Sequence, residues 1–128
     1  MAEARLLVVE DNQDTLDLYT LWLSAKYRVF SYGRADAALL NLETAEPDLL
    51  LLDIGMGPID GVECLRAIRA HAKFATIPAI ALTGYARECE RETFRAAGFQ
   101  MVLAKPVLDE DLLAAISAVL ASTLSTAA

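Results

Sequence analysis

The chain has 128 residues, 11 Lys and Arg against 18 Asp and Glu, a formal net charge of -7 and 55% hydrophobic residues. That length suits one compact domain with a full core and leaves no room for a second. The acidic balance, with no cluster of basic residues, excludes direct nucleic-acid binding because phosphate contacts need a basic patch, and the apolar content excludes disorder.

Leu6 to Val9 is an apolar run of strand length, flanked by Glu3, Arg5 and Glu10 and too brief for the core of a secretory signal. Asp14 to Ala25 then places Leu16, Tyr19 and Leu23 on one face at helical spacing. Leu18, Leu21 and Trp22 fall off that stripe, and Trp22 reads either as packing at the core rim or as a contact for a partner. Val29 to Tyr32 is a second strand-length run, and Asp36 to Leu42 a short helix bearing Ala38, Leu39 and Leu42.

Leu49 to Leu52 is four leucines in succession, the pattern of a strand buried on both faces in a parallel sheet covered by helices. A helix over Val62 to Ala70 follows, with Asp60 as a turn or cap before it and His71, the single histidine, at its solvated end. Ala79 to Leu82 and Met101 to Leu103 complete five strands, separated by a helix over Glu88 to Ala97 that carries Phe94. The last helix spans Asp109 to Leu124, with 125–128 as a frayed tail. Its main face is Leu112, Ile116, Val119 and Leu120; a second edge, Leu113 and Leu124, offers a surface for a partner or a homodimer.

The uncharged stretch from Leu112 to the end falls short of the ~20 predominantly apolar residues that span a bilayer, so no membrane insertion is expected. Cys64 and Cys89 have neither metal-ligand nor redox spacing and read as small buried or half-buried thiols of a cytoplasmic protein.

Five β-α alternations predict an α/β domain: a central five-stranded parallel sheet with helices on both faces, its ligands gathered at the carboxyl ends of the strands. Those ends carry Glu10 and Asp11, then Asp53, Thr83, and Lys105 before Pro106. Converging carboxylates repel one another and are costly to desolvate, so the set implies a hard divalent cation such as Mg²⁺ with oxygen ligands. A metal beside a carboxylate, a lysine and a hydroxyl suits phosphoryl transfer, with Asp53, at the end of the most apolar strand, as the candidate nucleophile.

The segments LLVVEDN (6–12), PDLLLLD (47–53), DG (60–61), IPAIALTGYA (77–86), AAGF (96–99) and LAKP (103–106), in this order and spacing, resemble the receiver domain of two-component response regulators. The resemblance covers residues 1–124 and implies a (βα)5 flavodoxin-like switch that takes a phosphoryl group from a histidine kinase or histidine phosphotransfer protein. By the same resemblance Asp53 is the phosphoacceptor, Asp11 binds Mg²⁺ directly, Glu10 supports the metal and the Gly55 backbone carbonyl adds a ligand. Thr83 and Lys105 contact the phosphoryl oxygens, and the Lys105–Pro106 bond is cis. The LDIG and TGYA wording resembles receivers attached to hybrid sensor kinases more than those of DNA-binding regulators.

Two departures from that pattern stand out. Met56, Gly57 and Pro58 replace the usual Met-Pro-Gly order after the acceptor, which bears on metal geometry through Gly55. Val102 occupies the place of an aromatic switch residue, with Tyr85 or Phe99 as candidate substitutes and packing as their ordinary role. Gly55 also stands where aspartyl-phosphate hydrolases carry an acid/base Asp, which disfavours that alternative. A binding-only receiver, without phosphorylation, is the third reading.

Overall fold

The computed structural model describes residues 3–55, 59–84 and 88–127. Met56, Gly57, Pro58 and Tyr85, and the side chains of Cys89 and Leu124, lie outside the described residues. Strands β1 (Arg5–Val9), β2 (Arg28–Tyr32), β3 (Leu49–Asp53), β4 (Ala79–Thr83) and β5 (Met101–Ala104) form one parallel sheet in the order β2-β1-β3-β4-β5. Helices α1 (Gln13–Ser24), α2 (Ala35–Leu40), α3 (Leu42–Ala45), α4 (Gly61–Arg69), α5 (Glu88–Ala97) and α6 (Asp109–Ala127) connect and cover it, with a 3₁₀ turn at Ala72–Phe74. This is the expected (βα)5 flavodoxin-like fold.

The sheet divides two cores because successive residues of a strand point to opposite faces. Leu6, Val8, Leu49, Leu51, Ile80 and Leu82 meet α1 and α6 through Leu16, Tyr19, Leu23, Leu112, Ile116 and Val119. Leu7, Val9, Leu50, Leu52, Ala79 and Ala81 face α2 to α4, with Phe99 and Val102 in the same layer. Burial of β3 and β4 on both sides explains their unbroken apolar runs. Trp22 sits half-buried at the rim of the first core, its ring 5.9 Å from that of Tyr19, whereas Leu18 and Leu21 on the same helix are exposed.

Two helices differ from their expected bounds by more than one residue at an end, while α1 and α4 each start and stop one residue early. The helix predicted over Asp36 to Leu42 starts at Ala35 and breaks at Asn41, whose Nδ2 donates to the Ala37 carbonyl at 2.8 Å, and a separate short turn, α3, follows. An asparagine that bonds the preceding turn competes with helix continuation. The last helix runs on to Ala127, past Leu124, because its end is Ala, Ser and Thr with neither Gly nor Pro to stop it.

The amino ends of the strands are tied by polar bonds. Arg5 Nε donates to the Ala45 carbonyl at 2.6 Å while its backbone N–H donates to Asp48 at 2.8 Å. The Ala79 amide donates to the Gln100 side chain at 2.7 Å, and Arg69 Nη2 to the Ile77 carbonyl at 2.9 Å. Arg69 lies against Gly98, whose φ of 117° favours glycine. Cys64 is on the buried face of α4, and burial pushes its thiol up to about 11, as expected of an inert packing thiol. His71 is exposed beyond α4, and no described helix is long and apolar enough to cross a membrane.

The two cores carry the stability. Truncating Leu51→Ala, at 0% exposure, should cost about 2–5 kcal/mol in a denaturant titration. Leu21→Ala, at 71% exposure, should stay within about 0.5 kcal/mol of the parent in the same titration.

Candidate functional site

Sheet order reverses between β1 and β3: the chain steps from β1 out to β2, then returns to place β3 on the other side of β1. Crossovers leave in opposite directions there, so the carboxyl ends of β1 and β3 border a crevice. Glu10 and Asp11 follow β1, and Asp53 is the last residue of β3. One carboxylate oxygen from each of the three lies within 4.8 Å of the others, with Glu10 and Asp53 buried and Asp11 exposed. Thr83, buried at the end of β4, and Lys105, after β5, close the group from the other side. The Lys105 amide donates to the Thr83 carbonyl at 2.8 Å, and the Lys105–Pro106 bond is cis, as the resemblance implies.

Lys105 Nζ reaches Glu10 Oε1 at 2.7 Å and Asp53 Oδ2 at 3.4 Å. Glu10 therefore holds the ammonium more closely than the candidate acceptor does. Its other oxygen accepts from the Asn12 amide at 3.1 Å. Asn12 in turn caps α1, its side chain accepting from the Thr15 amide at 3.0 Å, so the positive end of the helix dipole faces the carboxylates. The Gly55 amide donates to Asp53 Oδ1 at 3.2 Å.

Burial, and then the neighbouring Asp53 carboxyl, push Glu10 up to about 7 against the pull of Lys105 and the Asn12 amide. For Lys105, burial acts downward, but the Glu10 hydrogen bond and the Asp53 and Glu10 charges outweigh it and raise its pKa. The carboxyl group of Glu10 is thus poised to gain or lose a proton near neutrality in the metal-free domain.

The structure brings together every sequence-predicted site residue: Glu10, Asp11, Asp53, Gly55, Thr83 and Lys105. It adds Tyr19, read from sequence as a core residue of the first helix. Its buried ring lies close enough for the charges of Lys105, Glu10 and Asp53 to act on its hydroxyl, which burial above all pushes up. A tyrosine among leucines on the buried stripe was the available signal. Val102, in the aromatic switch position, is buried, and its carbonyl accepts from Arg91 Nη1 at 2.8 Å; Phe99 is buried in the same core. Asp60 caps α4, its side chain accepting from the Glu63 amide at 2.9 Å, and takes no part in the acidic group.

Oxygen donors of high charge density at this spacing fit a hard cation such as Mg²⁺ and the chemistry of phosphate oxygens. The family model for the response regulator receiver domain matches residues 6–117. The chain is 40% identical over 108 residues to the uncharacterized 14.6 kDa protein in the sodA1 3' region of Leptolyngbya boryana, covering 84% of this chain and 82% of that one. Protein PilH of Pseudomonas aeruginosa is 29% identical over 92% of this chain and 98% of its own length. The transcriptional regulatory protein GltR of the same organism is 34% identical over 90% of this chain, which spans 48% of that protein.

Among solved structures, chemotaxis protein CheY4 of Vibrio cholerae superposes with a TM-score of 0.87 at 26% identity, covering 92% of this chain and 99% of that one. A response regulator receiver domain protein of Methanospirillum hungatei does so with a TM-score of 0.86 at 28% identity, covering 98% and 99%. The acidic crevice at the strand-order reversal, with its lysine and threonine, is the one the matched segments resemble, and the chain belongs to the family of response regulator receiver domains.

Proposed function

We propose that this receiver domain is a Mg²⁺-dependent switch that accepts a phosphoryl group on Asp53 from the phosphohistidine of a histidine kinase or histidine phosphotransfer protein. The observation that carries the reading is the single ammonium group shared by Glu10 and Asp53 beside the three-carboxylate cluster. An Asp53 carboxylate oxygen attacks phosphorus, the P–N bond breaks, and the imidazole leaves with the bonding pair and takes up a proton. Lys105 moves from Glu10 toward the phosphoryl oxygens and offsets their charge, while the Thr83 hydroxyl donates to one of them.

Asp11, Asp53 and the Gly55 carbonyl would hold the cation directly, with Glu10 supporting it. Bound there, Mg²⁺ supplies the positive charge that lets carboxylates and phosphoryl oxygens approach. Hydrolysis of the acyl phosphate resets the domain. The domain thus catalyses its own phosphorylation and dephosphorylation, has no independent substrate turnover, and signals in the cytoplasm through altered protein contacts.

Incubation with Mg²⁺ and acetyl phosphate should add one phosphate by intact mass, and Asp53→Asn should add none. An adduct that survives Asp53→Asn overturns the assignment of the acceptor. Mg²⁺ binding without any adduct favours the binding-only alternative, in which the helical faces serve as contacts alone.

The proton on Glu10 competes with the cation. Its folded-state pKa is raised, so protonation favours the metal-free fold; that contribution is full below the ordinary carboxyl range and is lost as pH rises through about 7. Mg²⁺ affinity runs the other way, and between pH 6 and 8 the loss of one proton should strengthen it about tenfold. Quenching or enhancement of Trp22 fluorescence gives the titration curve, and Glu10→Gln should flatten the pH dependence.

A further inference from the structure

The Asp60-Gly61 pair is part of the matched pattern, yet neither residue belongs to the acidic cluster. Asp60 is the N-cap of α4. Gly61 is different, because of where its backbone lies. A Cβ built on it would stand 2.6 Å from the Asp53 carbonyl oxygen, 3.1 Å from the Asp53 carbonyl carbon and 3.0 Å from Ile54 Cα. All three are backbone atoms of the acceptor and its neighbour, so no side chain can swing aside to make room. The Gly61 amide also donates to the Ile54 carbonyl at 3.2 Å, which closes the neck of the segment between 54 and 61.

The other described glycines show how particular this contact is. At Gly55 and Gly84 a Cβ meets nothing within 4 Å, and at Gly33 the nearest atom is 3.9 Å away. At Gly98 the obstacle is the far end of the Arg69 side chain.

Both partners in the Gly61 contact are held, the helix more firmly than the end of the strand. Helix α4 is fixed from below by Cys64, Leu65 and Ile68, each at most 1% exposed. Strand β3 is hydrogen-bonded between β1 and β4, and the Ile54 amide donates to the Leu82 carbonyl at 2.9 Å. The last pair of the β3–β4 ladder is Asp53 with Leu82, so the strand end is where the main chain can yield. We infer that Gly61 is a positioning residue for Asp53: the first residue of α4 is the stop against which the acceptor's main chain is set. Through Asp53 it also sets the Gly55 amide that bonds the acceptor carboxylate. The functional part of this inference rests on Asp53 being the phosphoacceptor.

Three variants test it: Gly61→Ala, Asp60→Ala and Gly33→Ala. Asp60→Ala removes the cap and weakens α4 without pushing on β3; Gly33→Ala adds a methyl group with ordinary clearance. Each is followed by its thermal midpoint, by Mg²⁺ affinity from Trp22 fluorescence, by the amide chemical shift of Gly55 without metal, and by the rate of phosphate incorporation from acetyl phosphate. Gly61→Ala should move the Gly55 amide resonance, weaken Mg²⁺ binding and slow incorporation by about tenfold to a hundredfold, the usual range for a misplaced reacting group. Asp60→Ala should lower the thermal midpoint, and both it and Gly33→Ala should leave the Gly55 resonance in place and the Mg²⁺ affinity and incorporation rate within about twofold of the parent.

An unmoved Gly55 resonance and unchanged Mg²⁺ affinity in Gly61→Ala would show α4 retreating instead, and would overturn the inference. So would a Gly61→Ala chain that fails to fold under conditions where Asp60→Ala folds, or losses in Asp60→Ala that match those in Gly61→Ala. If the parent takes up no phosphate, the acceptor assignment fails by itself, while the Gly55 resonance and Mg²⁺ affinity still decide whether Gly61 sets the Asp53 main chain.

Discussion

The chemistry open to this domain depends on the mutual repulsion of three carboxylates at the reversal of strand order, and on the ammonium group of Lys105 that holds two of them. Glu10 and Asp53 are buried, a placement that would be costly for two uncompensated charges. Lys105, contributed from the opposite end of the chain, bonds the first at 2.7 Å and pairs with the second at 3.4 Å. The helix dipole of α1 and the Asn12 amide help further, but the compensation is incomplete, as the raised Glu10 carboxyl shows. A site left short of positive charge is one that a cation or a proton will occupy. That deficit is the physical link between fold and function.

The fold was legible because its strongest signals were local and repeated. Four consecutive leucines at 49–52 mark a strand covered on both faces, and the helical spacing of Leu16, Tyr19 and Leu23 marks the face of α1 that covers it. The break at Asn41 was not legible, since it turns on whether an asparagine side chain bonds the preceding turn or the solvent. Likewise the end of α6 carried no stop signal to read.

The site was legible as residue types at strand ends, and its geometry was not. That Glu10 rather than Asp53 is the closer partner of Lys105 depends on side-chain reach across 95 positions of sequence. That Tyr19 feels the charge of the same lysine depends on the packing of α1 against the sheet. Gly61 reads as a helix start, and only the tertiary structure reveals that its missing side chain leaves space for the main chain of Asp53 and Ile54.

The two rims of the sheet are built differently. At the amino rim, Arg5, Gln100 and Arg69 stitch strands to their neighbours through bonds that involve peptide groups. The carboxyl rim instead concentrates like charges over strands whose interior is closely packed and resists deformation. Under the proposed phosphorylation, the sheet would act as a rigid base: work done by altering charge at the carboxyl rim would pass to the helix starts and turns beside it.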